Sequence, residues 1–286
     1  MAAAWMEERL IGLAPFYLEK GENAGRLLQL GIGTSDYLDL LLDPQADEAL
    51  AGDLALRIAQ SAPGWDEWEL TELPPWASAK QLPCPAGCDE VIEPASQCYA
   101  VEIAPRRREL SALLPKVKQR KLRMARRRSA RRGELCILTA DKQNVAALVD
   151  ELVRLNRLRQ ATLGHDDIFA DPRLGQFLHK SAEPLLMTGI LRLYALMIGS
   201  DLVAVYHGLQ HAGRTYCYLS GFDPAYAFES SGSVLLASVI EQALVEGATQ
   251  IDFLRGSERY KAEWGAAPRR NQRRLFRRQW ARHVAA

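Results

Sequence analysis

Apolar and polar residues in the second half of the chain alternate with two distinct periods. Over residues 144–163 the apolar positions recur every three or four residues, which predicts an amphipathic helix. Shorter apolar runs, separated by glycine-containing turns, predict strands. In chain order we predict a strand over 134–138, a helix over 144–163, a helix that opens at Asp171-Pro172, strands over 191–198, 202–209 and 215–220, a helix over 231–246, a strand over 249–254 and a short helix over 257–264.

The first half of the chain has the same kind of pattern. A short apolar run over 9–17 predicts a buried strand whose partner begins near Trp5, and the run over 26–31 predicts another strand. Helical spacing over 47–60 and alternation over 65–73 predict a helix and a further strand. Both halves therefore place strands, a helix and a strand in the same order. This order predicts an α/β fold of two pseudo-repeated lobes, each with a mixed, twisted sheet flanked by helices.

The formal net charge of +1 conceals a strong segregation of charge along the chain. Residues 1–100 carry 17 acidic and 5 basic side chains, whereas residues 105–132 carry 13 Lys and Arg and one acidic side chain. Seven more arginines lie over 269–282. The segment 106–132 contains no glycine and has a ragged apolar stripe, which predicts one basic helix. The basic segments either neutralise the acidic half or bind an anionic partner.

Composition excludes several classes of protein. The chain has 286 residues, 48% of them hydrophobic and 25% charged, which is typical of a folded globular protein. It contains no apolar run of transmembrane length, and the residues before Arg9 lack the features of a secretory signal. The five cysteines are an odd number, and no histidine near Cys84 and Cys88 completes a zinc site. We therefore predict a cytoplasmic protein with no disulfide framework, no metal and no membrane span.

A candidate ligand site follows the predicted strand that ends at Ser220. The sequence Ser-Ser-Gly-Ser over 230–233 opens a predicted helix. A helix start of this composition exposes backbone N–H groups, and glycine lets the backbone approach a ligand closely, so this segment could bind a diphosphate. An ordinary N-cap is the alternative interpretation of these residues alone.

A cluster of ionisable side chains lies at and beyond the strand over 249–254. Its members are Asp252, Glu258, Tyr260 and Lys261. Groups of these types could deprotonate an amine and return a proton to a thiolate. The alternative is a structural ion-pair network at a helix start, formed by acidic and basic side chains of this cluster and Arg255.

The two candidate segments carry a resemblance to a known family. The sequence GFDPAYAFESSGSVLLASVIEQALVEG, followed by IDFLRGSERYKAEWG, resembles the GNAT domain of cellulose-biosynthesis-type and FemAB-like acyltransferases. GTSDYLDLLLDP and the basic segment also match, so the resemblance covers nearly the whole chain, although Ser231 stands where the family usually has Pro. The resemblance implies a partial GNAT-like lobe over 1–104 that lacks elements expected before Trp5, a basic interlobe helix over 105–133 and an acyltransferase domain over 134–286.

The resemblance also implies ligands and residue roles. It implies transfer of an acetyl or longer acyl group from acyl-CoA to an amine or hydroxyl acceptor, such as a sugar or cell-envelope polysaccharide precursor. Asp252 or Glu258 is the expected general base, and Tyr260 is the expected acid for the leaving thiolate. Lys261 is the fourth expected catalytic residue, holding an anionic group. The expected cofactor-binding residues are Ser220, Ser230, Ser231, Gly232, Ser233 and Val234, and the expected substrate-binding residues are Asp223, Tyr226, Arg255 and Trp264.

Two other functions stay open. In a FemAB-like aminoacyl transfer from charged tRNA, the basic helix would contact the RNA. In a non-catalytic module, the same helix would bind anions or nucleic acid. Nucleic-acid binding as the main role is less favoured, because few aromatic side chains are interleaved with the basic ones and no base-reading motif is present.

Overall fold

The chain forms two compact units. The computed structural model describes residues 1–21, 24–47, 49–104 and 109–279. The first unit contains residues 1–98 and the segment that begins at 268, and the second contains residues 99–267. The domain limits at 104 and 133, which the family resemblance implies, stay a prediction. The predicted α/β class, with mixed sheets flanked by helices, is confirmed.

Seven helices and thirteen strands are present in the described residues. The helices are α1 Leu50–Ser61, α2 Leu110–Leu113, α3 Lys116–Arg132, α4 Val145–Leu163, α5 Pro172–Met187, α6 Ser231–Val245 and α7 Arg259–Glu263. The strands are β1 Ala2–Met6, β2 Arg9–Ala14, β3 Phe16–Lys20, β4 Gly25–Gln29, β5 Leu41–Leu42, β6 Glu67–Leu73, β7 Cys88–Glu102, β8 Leu135–Thr139, β9 Leu191–Ile198, β10 Asp201–His211, β11 Arg214–Phe222, β12 Gln250–Arg255 and β13 Ala267–Arg278.

The strands of each unit follow a simple order. The first unit has a three-stranded sheet, β1-β2-β5, and a larger mixed set in the order β3-β4-β6-β13-β7. The second unit has the order β12-β11-β10-β9-β8. Helices α4 and α6 pack on β10 and β11 of this second set, and α3 packs against α6. The strands and helices predicted for residues 134–264 are therefore all found, with ends shifted by a few residues.

The predicted pseudo-repeat is present as one arrangement of strands and a helix that occurs in both units. In the first unit β4 pairs antiparallel with β3 and, after α1, parallel with β6. In the second unit β11 pairs antiparallel with β10 and, after α6, parallel with β12. The prediction of a single strand over 9–17 is wrong, because Pro15 divides that run into β2 and β3. Proline has no N–H to donate to a ladder, so the strand ends there.

Three arginines of β13 form ion pairs with acidic residues of the first unit. Arg274 Nε lies 2.6 Å from Glu90 Oε1, and Arg277 Nε lies 2.8 Å from Glu67 Oε1. Arg273 Nε lies 2.6 Å from Glu69 Oε1. Burial raises the pKa of Glu69, but hydrogen bonds from Arg273 and from Arg26 of β4 outweigh burial and hold its pKa below the usual value. Ion pairs with β13 therefore neutralise part of the acidic charge of the first unit.

The predicted single helix over 106–132 is wrong at its N-terminal end. Residues 105–108 lie outside the described residues, and Pro115 separates α2 from α3. Leu114 has an extended backbone, with ψ of 140°, because a following proline clashes with the helical conformation. Helix α3 begins only at Lys116 and ends before Gly133 as predicted.

No helix in the described part of the chain combines the length and the apolar character needed to cross a membrane. In the same residues, no group of three or more His, Cys, Asp or Glu side chains is arranged to hold a metal ion.

Candidate functional site

Strands β11 and β12 pair over only part of their length. Their parallel register joins three residue pairs and ends at Tyr216 and Asp252, although β11 continues to Phe222. A register shift between β10 and β11 at His207 and Gly208 leaves Tyr218 as an extra residue on β11. Along an unpaired strand edge, alternate backbone N–H and C=O groups have no sheet partner on that side. Beyond Tyr216, β12 no longer pairs with this edge of β11, and an extended ligand could bind beside it.

A cavity of about 350 Å³ lies at this edge. Its walls come from β10, β11 and the start of α6, and Arg159 of α4, Phe253 of β12, Tyr260 of α7 and Trp264 complete it. The close approach of α4 to β11 depends on Gly221, because a Cβ atom there would lie 2.5 Å from the backbone nitrogen of Asn156. Asn156 Nδ2 in turn donates a hydrogen bond of 2.9 Å to the carbonyl oxygen of Ser220.

The start of α6 lies in the wall of this cavity. Ser230, at the N-cap position, has a left-handed backbone with φ of 57° and makes no side-chain cap. This is not the ordinary N-cap of the alternative interpretation, in which the Ser230 side chain would accept a hydrogen bond from a backbone N–H group of the first turn. The backbone N–H groups of Ser231 and Gly232 have no acceptor among the described residues, as expected in the first turn of a helix. The hydroxyl of Ser231 is also buried without a hydrogen-bond partner there.

Basic side chains from two helices, α3 and α4, surround this helix start. Arg128 Nη2 of α3 lies 3.3 Å from Ser230 Oγ, and Lys118 Nζ lies 3.4 Å from Ser233 Oγ. Arg159 of α4 lines the cavity, and its buried Nε has no hydrogen-bond partner in the described residues. Free N–H groups, the helix dipole and nearby cations together favour binding of an anion such as a diphosphate.

Tyr260 is the predicted catalytic residue that lines the cavity. Burial, followed by the neighbouring Cys217 and Glu258, raises the pKa of its phenol, and Arg159 opposes the shift. The phenol is therefore protonated at neutral pH and can act as a proton donor. Cys217 also lines the cavity, where burial raises the pKa of its thiol to about 12.

The other three predicted catalytic residues lie outside the cavity lining. Asp252 is fully buried, and its Oδ1 accepts a hydrogen bond from the backbone N–H of Leu254. Lys261 is 2% exposed, and its Nζ lies 3.0 Å from Glu258 Oε2. The same Nζ donates to three consecutive carbonyl oxygens, those of residues 254, 255 and 256. This geometry favours the structural alternative for Lys261, because its donors already fix the turn after β12.

The predicted ligand-binding residues divide in the same way. Among the residues that the structure describes, those that line the cavity are Ser220, Ser230, Ser231, Gly232, Ser233 and Trp264. Val234 instead belongs to the apolar core. Asp223 accepts a hydrogen bond from the backbone N–H of Ala225, and the Tyr226 hydroxyl donates to Asp201. Arg255 also lies outside the lining, although its carbonyl oxygen accepts from Lys261.

Several residues of the cavity were not predicted from the sequence. They include Arg159, Tyr206, Cys217, Phe222 and Phe253. Their positions on a helix and on apolar strands are equally typical of core residues. The strand alternation around Ser220 could have indicated Phe222, since residues two apart on a strand share a face.

Comparison with solved structures finds the same fold in other proteins. The chain has a TM-score of 0.63 to the crystal structure of FemX, with 11% identity, over 95% of this chain and 86% of that one. It has a TM-score of 0.60 to L-PGS from Bacillus licheniformis, with 11% identity, over 92% and 80% of the two chains. For the C-terminal domain of a putative lysylphosphatidylglycerol synthetase from Agrobacterium fabrum, the TM-score is 0.58 at 14% identity, over 94% and 82%. These similarities show a shared fold.

The sequence itself identifies the family. No curated protein gives a significant match to the chain. The model of the acetyltransferase (GNAT) domain matches residues 116–262, which include α3, the open edge of β11, the start of α6 and Tyr260. This match covers just over half of the chain and contains every residue that lines the cavity except Trp264, so the protein belongs to the acetyltransferase (GNAT) domain family.

Proposed function

We propose that the protein transfers an acyl group from acyl-CoA to an amine or hydroxyl acceptor. The observation that carries this proposal is one continuous cavity, which joins the unpaired edge of β11 to the uncapped start of α6. An acyl-CoA contains a diphosphate, an extended arm with two amides and a reactive thioester. The cavity offers matching groups to each of these parts.

The residues present fit such a donor. The N–H groups of Ser231 and Gly232 would bind the diphosphate, with Arg128 close by. The open backbone groups along β11 would bind the amides of the arm in the manner of an added strand. A backbone N–H on this edge would polarise the thioester carbonyl, which contributes a few kcal/mol at most for one donor. When bound, acyl-CoA supplies an activated acyl group.

Proton transfer would be divided between Glu258 and Tyr260. Glu258 has a half-exposed carboxylate, whereas Asp252 is fully buried, so we favour Glu258, acting through water, as the base that removes a proton from the acceptor amine. The acceptor nitrogen forms a bond to the acyl carbon as the carbon–sulfur bond breaks. Tyr260 then gives its phenolic proton to the leaving thiolate. The family resemblance, and no feature of the cavity, supports a sugar or cell-envelope precursor as acceptor.

Gly232→Ala tests the donor site. A Cβ atom at Gly232 would lie 3.0 Å from Cδ1 of Phe222, so it would narrow the cavity where the backbone must approach the diphosphate. We expect the affinity for acetyl-CoA, measured by isothermal titration calorimetry, to fall about 10-fold, which corresponds to roughly 1.4 kcal/mol. The melting temperature should not fall, because alanine favours a helix over glycine by about 1 kcal/mol.

Gly175→Ala is the matched control, since Gly175 lies in α5 and a Cβ atom there meets no neighbour within 4 Å. It should leave acetyl-CoA affinity unchanged. Failure of the unmodified protein to bind acetyl-CoA or longer acyl-CoAs at millimolar concentration would overturn the proposed function. If Gly232→Ala and Gly175→Ala bind acetyl-CoA with equal affinity, the donor does not bind at the start of α6.

A second candidate, aminoacyl transfer from charged tRNA, is favoured by one surface of α3. We call this surface the basic stripe; its exposed residues are Lys116, Arg120, Arg123, Arg127 and Arg131. No salt bridge to these side chains occurs within the described residues, and their spacing places them on one helix face. Such a stripe resembles the electrostatic footprint of a nucleic-acid-binding surface.

The tRNA candidate predicts retardation of tRNA that weakens steeply with salt. If the basic stripe neutralises five phosphates, the affinity for tRNA should fall roughly 10²- to 10³-fold as the salt concentration rises from about 50 to 200 mM. Electrophoretic mobility measured over that range checks this expectation. Release of free CoA during turnover would instead exclude aminoacyl-tRNA as the main donor.

A further inference from the structure

Lys118 is a buried cation whose environment contains no paired carboxylate. It lies on α3, is 6% exposed, and has no acidic side chain within salt-bridge distance in the described residues. Its Nζ has two neighbours, Ser233 Oγ at 3.4 Å and the ring of Trp264, whose centroid is 4.4 Å away. The nearby Glu263 is held by Lys121 at 3.3 Å. Burial, with a smaller contribution from Lys121, lowers the pKa of Lys118, and Glu263 opposes the shift.

A buried charge of this kind is costly unless an anion accompanies it. A hydroxyl and the face of an indole ring only partly replace the water that Lys118 loses. An anionic ligand could reach Lys118, because this side chain lines a second cavity of about 310 Å³ between α3 and the start of α6. This α3–α6 cavity shares Ser230 and Ser233 with the 350 Å³ cavity at the edge of β11.

The α3–α6 cavity has further features of a phosphate site. Arg128 also lines it, and the buried Nε of Arg128 has no hydrogen-bond partner among the described residues. The hydroxyls of Ser230 and Ser233 face these cations at 3.3 and 3.4 Å. Beside the cavity, the ring of Phe228 is 73% exposed, and the guanidinium of Arg128 lies 4.8 Å from its centroid. An exposed aromatic ring next to a cation can stack on a nucleotide base.

We propose that the α3–α6 cavity binds phosphate groups of a nucleotide-containing acyl donor, with Lys118 as the cation that pairs with them. The inference rests on the proposed function for the identity of the donor, and it assigns to α3 a role in binding the acyl donor, which the sequence analysis did not give to this helix. Helix α3 thereby makes the site selective for donors that carry phosphate over the same thioester on a bare pantetheine arm. The basic stripe lies on the exposed side of the same helix and takes no part in this site.

The test uses probes that carry no acyl group. Binding of inorganic diphosphate, ADP and adenosine 3′,5′-bisphosphate is measured by isothermal titration calorimetry for the unmodified protein and for Lys118→Met. Methionine keeps the length and the apolar stem of the side chain but removes the charge. We expect the affinity for all three probes to fall at least about 10-fold. The melting temperature should stay the same or rise, because a buried charge has been removed.

Lys116→Met is the matched control, since Lys116 is exposed on the same helix and does not line the α3–α6 cavity. It should change probe affinity less than about 2-fold. If Lys118→Met does not fold, Arg128→Gln, at a half-buried position on the same wall, should still weaken the probes several-fold. Unchanged probe affinity in a folded Lys118→Met protein overturns the inference. Where Arg128→Gln replaces that variant, unchanged probe affinity in Arg128→Gln does the same. The inference is also overturned if the unmodified protein binds none of the probes at millimolar concentration.

Acetyl-CoA separates this inference from the proposed function. If the probes bind through Lys118 but no acyl-CoA binds, the proposed function fails and the phosphate site stands. If acetyl-CoA binds the unmodified protein and Lys118→Met equally well, the phosphate site fails and the proposed function stands. Acetyl-pantetheine, which lacks the nucleotide, should bind both proteins with the same low affinity, and a preference for the unmodified protein would contradict the assignment.

Discussion

Replacing Tyr260 by Phe is expected to lower kcat about 10²- to 10⁴-fold, the usual contribution of a positioned proton donor. Tyr260 lines the 350 Å³ cavity at the edge of β11, so loss of its hydroxyl removes the proton for the leaving thiolate while keeping the ring. The acetyl-CoA affinity should change little, because the hydroxyl acts only as the carbon–sulfur bond breaks. Release of CoA thiol from acetyl-CoA and a suitable amine, followed by absorbance with a thiol reagent, measures this effect.

The pH dependence of the unmodified protein checks the same role. Burial raises the pKa of Tyr260, and a raised pKa keeps the phenol protonated to higher pH than a free tyrosine. The proton donor is therefore present below this raised value, and kcat should show no loss attributable to Tyr260 between about pH 7 and 10. Tyr194→Phe, at a buried tyrosine outside the cavity, should keep normal turnover. Normal turnover in Tyr260→Phe would remove Tyr260 from the mechanism.

Lys261→Met is expected to reduce the free energy of unfolding by about 3 kcal/mol or more. The ammonium donates to three carbonyl oxygens in the turn after β12, and each buried carbonyl that loses its donor costs roughly 1–3 kcal/mol. Urea unfolding followed by tryptophan fluorescence measures the change, and the midpoint should fall while the slope stays constant.

Glu258→Gln provides the contrast within the same ion pair. The Glu258 carboxylate is 56% exposed, so its loss should cost no more than about 1 kcal/mol of stability. If Glu258 is the base, its replacement should still lower turnover about 100-fold. The opposite pattern, a stable Lys261→Met protein with no turnover, would show that Lys261 acts in the reaction and not in the fold.

Much of the second unit could be predicted from its sequence, because its elements carry local signals. Gly and Ser residues at turns mark the ends of β9, β10 and β11, and apolar spacing marks α4 and α6. The segment Ser-Ser-Gly-Ser correctly indicated a helix with an open first turn. Errors arose where a proline interrupts an apolar or basic run, as at Pro15 and Pro115, because the run looks continuous when only its hydrophobicity is considered.

The candidate site was less predictable, because burial depends on the three-dimensional packing. Lys261 and Tyr260 are neighbours in the sequence, yet Tyr260 lines the cavity and Lys261 points into the turn after β12. Only helical spacing distinguishes Lys118 from Lys116, because Lys118 lies four residues before Leu122 on the buried face of α3 and Lys116 lies on the exposed face. The α3–α6 cavity brings together residues more than a hundred positions apart in the sequence, so no local pattern could reveal it.

The position of β13 in the chain has a consequence for folding during synthesis. β13 pairs antiparallel with β6, so the first unit is completed by residues that follow the whole of the second. While the chain emerges from the ribosome, β6 lacks this neighbour and the carboxylates of Glu67 and Glu69 lack their arginine partners on β13. The second unit, continuous in sequence, can fold first. The first unit therefore depends on contacts of high sequence separation, which form slowly, and it is the part of the nascent protein most exposed to aggregation and in need of chaperones.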